Sequence, residues 1–178
     1  MTHLHRYVCA CLLLSPLAAQ AQEPCQIQLD QANLDYGQLQ LPTGSTVANF
    51  QQLHALEQRH IRVRVHCPQP SPLALDLVGV SQDGRLKFAD TGHIRLQAQD
   101  ASVDGAGVDL ANLDNAAPGQ RVLEVKPGQR IVPSRDGQAV QGSDWSLTLQ
   151  VAPSLPLGEL RSVQDTLLEG TLTLAVPG

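Results

Sequence analysis

The chain has 178 residues, a formal net charge of −5 and only 3% aromatic residues. This length predicts a single domain, and an acidic balance without a basic stripe argues against nucleic acid as a partner. The 12 prolines and 14 glycines favour many short strands over long helices, with a core made mainly of Leu, Val, Ile and Ala.

The first 21 residues have the layout of a secretory signal. Arg6 supplies a positive charge, an apolar stretch runs from Tyr7 to Leu14, and the segment ends with Ala19-Gln20-Ala21. This stretch is too short to be a membrane anchor, since a spanning helix needs about 20 apolar residues. We therefore predict a signal peptide over residues 1–21 that is cleaved after Ala21, and an exported domain over residues 22–178.

Two cysteines remain after this signal, Cys25 and Cys67. Cys25 has the parity of Ile27 and Leu29, and Cys67 has the parity of the apolar residues in the alternating segment 60–67. Both thiols should therefore point into the core of a β-structure. In an exported domain such a pair predicts a disulfide, which for a loop of this length stabilises the fold by about 4 kcal/mol. A metal site that uses Cys67 is disfavoured because the histidines of its strand lie on the opposite face.

Further strand signals follow at short spacing. They lie in Leu34–Leu41, Pro72–Val80, His93–Ala98, Arg121–Val125, Ile131–Val132, Trp145–Val151 and Leu168–Val176. Only the segment Val47–Arg59 hints at a helix, and it is equally compatible with a loop. Several short strands separated by turn residues predict an all-β sandwich.

The sequence contains no constellation of residues that points to catalysis. The G-x-S-x-G motif is absent, and the histidines after the signal have no nucleophile at a familiar spacing. The series Asp100, Asp104, Asp109 and Asp114 lacks the two-residue spacing of an EF-hand loop. We therefore predict a solvated acidic loop, no metal, no cofactor and no enzymatic activity.

Several strings, taken in order, resemble the subunits of chaperone–usher fimbriae, the pilins. A cysteine at a strand start is followed by Leu-Asp-Tyr-Gly at residues 34–37, and a second cysteine closes an apolar strand. The segment Trp145–Val151 then precedes a last strand, Leu168–Val176. The resemblance covers nearly all of residues 25–178 and is greatest to the fimbrial-like branch of the family.

This resemblance implies an immunoglobulin-like sandwich that lacks its final strand and sits in a cell-surface fimbrium reached through the periplasm. In the family, a periplasmic chaperone fills the open groove with one of its own strands. At the outer-membrane usher, the N-terminal extension of the neighbouring subunit replaces that strand. The implied groove walls are Ile27 and Leu29 on the first strand and Leu168, Leu172, Leu174 and Val176 on the last.

Two features depart from the family pattern. The residue before the last is Pro177, where the family usually has an aromatic residue, and proline lacks a backbone donor. Only Gln22, Glu23 and Pro24 lie between the predicted cleavage point and Cys25, and three residues span at most about 10 Å. Because this is too short to fill a groove, we expect a tip or minor subunit that accepts a strand, donates none and contributes to adhesion.

The alternative is a complete β-sandwich that acts as a secreted or periplasmic binding module for a carbohydrate or another host-surface ligand. Aromatic side chains usually supply the flat contact area of such sites. Trp145 shares the apolar face of its strand and is predicted to belong to the core, which leaves Tyr36 and Phe88 as candidates. The two hypotheses differ in whether the isolated chain is stable.

Overall fold

The computed structural model describes residues 23–39, 51–114, 118–162 and 168–177. Within these ranges the chain forms two antiparallel sheets, one disulfide and one short helix, so the predicted all-β sandwich is confirmed. The elements are β1 (Gln26–Leu29), β2 (Leu53–Ala55), β3 (Arg59–Pro72), β4 (Leu75–Gly79), β5 (Ser81–Gln82), β6 (Arg85–Phe88), β7 (Gly92–Val103), β8 (Ala106–Gly107), β9 (Asp109–Asn112), β10 (Val122–Val125), β11 (Arg130–Arg135), β12 (Gln138–Ala139), β13 (Gln141–Pro156), α1 (Leu157–Ser162) and β14 (Leu172–Ala175). No helix in the described ranges is long and apolar enough to cross a bilayer.

The larger sheet, sheet A, is built around three long strands. Its order is β1-β3-β13-β7-β6-β5, with β2 on β13 and with β8 and β10 on β7. Trp145 in β13 lies opposite Val65 of β3 on one side and Val103 of β7 on the other. Trp145 and Val65 are both completely buried, so the prediction that Trp145 belongs to the core is confirmed.

The smaller sheet, sheet B, has the order β12-β11-β4-β14, with β9 on β11. Leu75 and Leu77 of β4 and Ile131 of β11 point into the shared core and are almost fully buried. The alternation that predicted β3 is present as well: Val63, Val65 and Cys67 are buried between exposed polar residues.

The disulfide joins Cys25, directly before β1, to Cys67 in β3, as predicted. Gln26 lies opposite His66 in the adjoining strand pair. The bond therefore ties a strand at the margin of sheet A to a strand inside it. The thiol of Cys67 is consumed by this bond, which leaves no thiolate there for a metal.

The prediction of a strand over Leu34–Leu41 is wrong for residues 34–39, which form no strand. Asp35 Oδ1 accepts a hydrogen bond of 2.7 Å from the Gly37 amide, and Gly37 has a φ of 64°. This local turn ends the extended backbone that the alternation of apolar residues predicted. Residues 40 and 41 lie outside the described residues.

The hint of a helix over Val47–Arg59 is wrong for the described part of that segment. Leu53–Ala55 forms β2, in which His54 lies opposite Leu155 of β13, and Arg59 begins β3. Pairing with a distant strand decides the structure here over the local spacing of apolar residues. Residues 47–50 lie outside the described residues.

The last strand is shorter than predicted, since β14 covers only Leu172–Ala175. The carbonyl of Glu169 accepts a hydrogen bond of 2.9 Å from the amide of Ala89. A side chain at Gly170 would come within 3.0 Å of the Lys87 carbonyl oxygen. The segment before β14 therefore packs against the end of β6, and the chain joins β4 only from Leu172 onward.

Candidate functional site

The most specific feature of the surface is the outer edge of β14. This strand pairs with β4 in an antiparallel register that sets Leu174 opposite Leu77 and Ala175 opposite Asp76. β14 is the terminal strand of sheet B, and no other described strand pairs with it. One side of β14 is thus left without a neighbouring strand among the described residues.

The hydrogen bonds of β4 identify which backbone groups of β14 face this open side. The amide of Leu77 donates to the Gln129 carbonyl at 3.1 Å, and the Leu77 carbonyl accepts from the Gly128 amide at 2.6 Å. Leu77 therefore directs both of its groups toward β11, away from β14. In an antiparallel pair the opposite residue, Leu174, must then direct its own N–H and C=O away from β4. By alternation, Leu172 does the same.

The side chains of the same residues point inward. Leu172, Leu174 and Val176 are half-buried and pack against the core, whereas Thr173 between them is exposed. Their neighbour Leu77 is 0% exposed. The edge of β14 therefore combines backbone groups that face outward with apolar side chains that the fold covers only in part.

β1 at the margin of sheet A has the same arrangement. The amide of Asp30 donates to the Arg62 carbonyl at 3.1 Å, and Gln28 lies opposite Arg64. The even-numbered residues of β1 thus bond to β3, so Ile27 and Leu29 direct their backbone groups to the open side. Ile27 is half-buried against the core, whereas Leu29 is 39% exposed.

The two edges belong to different sheets and are not hydrogen-bonded to each other. β1 starts opposite His66, and β14 ends opposite Asp76. Both contribute apolar side chains to one core cluster. Of the residues expected to line a groove, Leu168 is half-buried against this cluster but lies outside β14.

Pro177 has less effect on this edge than its missing donor implies. Thr173 and Ala175 lie opposite the residues of β4 that bond to β14, so odd-numbered residues face β4. β14 ends at Ala175, so Pro177 lies outside the strand and its missing donor removes no hydrogen bond from the β4–β14 pair.

A bidentate ion pair joins β4 to β11, the strand on the side of β4 opposite β14. Arg130 of β11 donates from Nε to Asp76 Oδ1 at 2.6 Å and from Nη2 to Asp76 Oδ2 at 2.8 Å. The hydrogen bonds from Arg130 hold the pKa of Asp76 below its usual value, partly offset by desolvation. Sequence reasoning missed this pair; its one signal was a carboxylate within an apolar run.

The aromatic residues that the structure describes do not form an open platform for a sugar. Phe88 is only 5% exposed, so its candidacy as a ligand contact is wrong. Tyr36 is half-buried, and the Arg59 guanidinium lies 5.7 Å from the centre of its ring. Burial raises the pKa of Tyr36, and its hydroxyl has no hydrogen-bond partner among the described residues.

The four aspartates of the predicted acidic loop are dispersed over several elements. Asp100 lies in β7, Asp104 follows β7, Asp109 lies in β9, and Asp114 follows β9. Asp104 Oδ1 accepts hydrogen bonds from the amides of Ser143 and Asp144. Within the described ranges, no group of three His, Cys, Asp or Glu side chains could hold a metal ion.

A cleft of about 680 Å³ opens near two of these aspartates. Its polar lining combines both signs of charge and includes Asp100, Asp109, Arg121, Arg135 and Asp136. The cleft lies where β7 and β8 meet β9 and β11, away from the edge of β14.

Comparisons with protein-family models, with curated proteins and with solved structures found no match. A function for this chain therefore has to be inferred from its own residues. Among them, the open edges of β14 and β1 are the feature that specifies the kind of partner most narrowly, because an unpaired strand edge is complementary to another strand.

Proposed function

We propose that this protein is a structural subunit of a surface fimbria, assembled by a chaperone and an usher through the addition of a strand to its open edge. It accepts a strand from a chaperone and then from a neighbouring subunit, and it donates none. Its place is the tip or another minor position of the fibre, where it contributes to adhesion.

The observation that carries this proposal is the edge of β14. Leu172 and Leu174 present outward N–H and C=O groups at every second residue, which is the hydrogen-bonding pattern that an incoming strand needs. An edge of this kind is an aggregation hazard if it stays open. A partner strand would remove the hazard and supply the missing backbone bonds.

The side chains of this edge support the same function. Leu172, Leu174 and Val176 are only half-buried although they pack against the core. Complete burial of one leucine side chain contributes about 1.5–3 kcal/mol. A strand whose alternate side chains lie over these residues would therefore gain apolar burial as well as hydrogen bonds.

The β1 edge supports a groove with two walls. Ile27 is half-buried against the same core cluster as Leu174, and its backbone groups face the open side of β1. A strand inserted beside β14 could thus cover Ile27 from sheet B. Leu29, which is 39% exposed, would lie at the margin of such a groove.

The second part of the proposal, that the subunit donates no strand, rests on the predicted cleavage after Ala21. The disulfide anchors Cys25 to β3, so only residues before Cys25 would be free to extend from the domain. Mass spectrometry of the exported chain tests this part directly. An N-terminus at Gln22 is expected, and a start well upstream of it would remove this part of the proposal alone.

Strand acceptance is tested with a synthetic peptide of alternating apolar residues, added to the purified chain. Binding at a hundredfold excess over Kd should raise the free energy of unfolding by about 2.7 kcal/mol. A peptide of the same composition with a central proline serves as the control, since proline removes a backbone donor and disfavours strand pairing.

Two variants on the same strand localise the effect. Leu174→Asp places a charge on the half-buried inner face of β14, whereas Thr173→Asp places it on the exposed outer face. We expect Leu174→Asp to abolish the stabilisation by the peptide and Thr173→Asp to preserve it. Equal responses of the two variants would argue against a groove at β14.

The second candidate function is a complete binding module, and the mixed-charge cleft beside Asp109 and Arg135 is the observation that favours it. Such a module would melt at a high temperature in isolation and would not respond to the strand peptide. The same titration therefore separates the two candidates.

A further inference from the structure

Polar side chains from neighbouring strands lie in rows across the outer face of sheet A. One row across the sheet sets Gln28 of β1 beside Arg64 of β3, followed by Ser146 of β13 and Ser102 of β7. Neighbouring strands lie about 4.8 Å apart, so these side chains form a row of amide, guanidinium and hydroxyl groups.

The next row repeats this chemistry. Arg62 of β3 lies opposite Thr148 of β13, which in turn lies opposite Gln99 of β7. Arg62 and Arg64 are two residues apart on one strand, so their side chains leave the sheet on the same face about 6.8 Å from each other. Both arginines are exposed.

Neither guanidinium forms an ion pair within the described chain. Two carboxylates border the pair and make other contacts: Asp30 Oδ1 accepts from the backbone amide of Arg62 at 2.7 Å, and Asp144 Oδ1 lies 3.0 Å from His66 Nδ1. Among the described residues, Arg62 and Arg64 take part in no side-chain ion pair. Two unpaired cations side by side are therefore the charge centre of this face.

We propose that this outer face, centred on Arg62 and Arg64, binds an acidic polysaccharide. The paired guanidiniums are complementary to carboxylate or sulfate groups, which guanidinium binds through charge-assisted hydrogen bonds. The flanking hydroxyl and amide groups of Ser146, Thr148 and Gln28 suit the hydroxyls of a sugar chain. The face extends over four neighbouring strands, β1, β3, β13 and β7, and so offers an extended polymer several contacts.

The face differs from both sites described above. It uses side chains that leave β3 and β13 on the side opposite the core, whereas the edges of β14 and β1 use backbone groups and inward side chains. Strand acceptance and polysaccharide binding are thus independent properties, and either can fail without the other. A nucleic acid duplex is also a polyanion, and competition by duplex DNA in the test below distinguishes it from an acidic polysaccharide.

The test measures binding of the full chain, purified after export, to immobilised heparin and to polygalacturonate at pH 7 and low salt. Neutral dextran is the control ligand, and duplex DNA is the competitor. Exchange of both cations, Arg62→Gln with Arg64→Gln, should raise Kd by roughly tenfold or more. The matched control, Arg121→Gln with Arg135→Gln, removes the same charge from the cleft and should leave Kd within about twofold.

A third variant, Arg62→Lys with Arg64→Lys, keeps both charges. It distinguishes loss of charge from loss of fold as the cause of weaker binding. It should bind more tightly than the Gln variant, and all variants should melt near the wild-type temperature because the exchanged side chains are exposed. The proposal is overturned if neither acidic polymer binds, if dextran binds equally well, or if both Gln variants lose the same affinity. Competition by DNA as effective as that by heparin would also overturn it.

Discussion

The middle of sheet A and the edge of sheet B are made of similar residues but differ in how completely they are covered. β13 is hydrogen-bonded on both sides, and its inward side chains Trp145, Leu147 and Leu149 are at most 2% exposed. β14 is bonded on one side, and its inward Leu172 and Leu174 remain half-buried. In both regions every second side chain therefore points inward. These side chains are fully buried only in the strand that is paired on both sides.

This difference distinguishes a region that is complete within the chain from one that, in our proposal, a strand from a partner completes. The β3–β13–β7 region satisfies its backbone groups and its apolar side chains internally. Among the described residues, the outward backbone groups of β14 have no partner strand and its inward apolar side chains are only half-buried. A region that lacks hydrogen-bond partners and apolar cover together is the region at which a strand from another chain would stabilise the fold most.

The largest expected effect comes from the disulfide that ties β1, an edge strand of sheet A, to β3 inside the sheet. Exchange of Cys25 and Cys67 for alanine releases β1 from β3 and should lower the free energy of unfolding by about 4 kcal/mol, measured by denaturant titration. A reducing agent should destabilise the wild type by a similar amount and leave the double variant unchanged. If reduction affects both proteins alike, the disulfide is not the source of the stability.

A smaller effect compares two leucines that face each other across sheet B. Leu77→Ala, at a fully buried position of β4, should lower the free energy of unfolding by about 3 kcal/mol. Leu174→Ala, its half-buried partner, should lower it by about 1 kcal/mol in the isolated chain. With the strand peptide bound, the cost of Leu174→Ala should rise toward that of Leu77→Ala. Equal costs without the peptide would mean that β14 is already covered.

The smallest effect concerns the ion pair that fixes β4 to β11. Asp76→Asn should lower the free energy of unfolding by up to about 1 kcal/mol at neutral pH. The lowered pKa of Asp76 means that this contribution is present above the unfolded-state pKa and is lost as the pH falls through the folded-state pKa. The wild type should therefore approach the variant in acid, as followed by denaturant titration across this range.

Asp144→Asn is the control for this prediction. Its partner His66 and Asp144 itself have side chains that are 52% and 56% exposed, so the exchange should change stability little. A larger effect for Asp144→Asn than for Asp76→Asn would contradict the assignment of the stabilising pair.

The strands of the middle region could be predicted from sequence because their pattern is local. His60–Cys67 and Trp145–Val151 alternate cleanly, and both lie in long strands with one buried face. The inward parity of Cys25 and Cys67, together with the predicted export signal, predicts their bond. In these segments burial follows from the period of two along the chain.

The remaining elements depend on contacts between distant residues. β5, β8 and β12 have two residues each, too few for a periodic signal, and β2 forms because Ala55 meets Ser154 of β13. At Leu34–Gly37 the alternation of burial is present, but an Asp35 turn replaces the strand. Alternation predicts which way side chains point more securely than it predicts pairing.

The candidate site likewise has one feature that the sequence predicts and others that depend on contacts between distant residues. The inward parity of Leu172, Leu174 and Val176 could be predicted from their spacing. That β14 lies at the end of sheet B could not, because strand order is set by pairing of β14 with β4 and of β4 with β11. The outer face around Arg62 was also missed, since it required knowledge of which carboxylates are engaged elsewhere.

Amide hydrogen exchange along β14 tests the central claim most directly. In the isolated chain we expect the outward amides of Leu172 and Leu174 to exchange fast, and the amides of Thr173 and Ala175, which face β4, to exchange more slowly. Addition of the strand peptide should slow Leu172 and Leu174 selectively. Slow exchange of these two amides before any peptide is added, or no change on its addition, would show that the edge of β14 does not accept a strand.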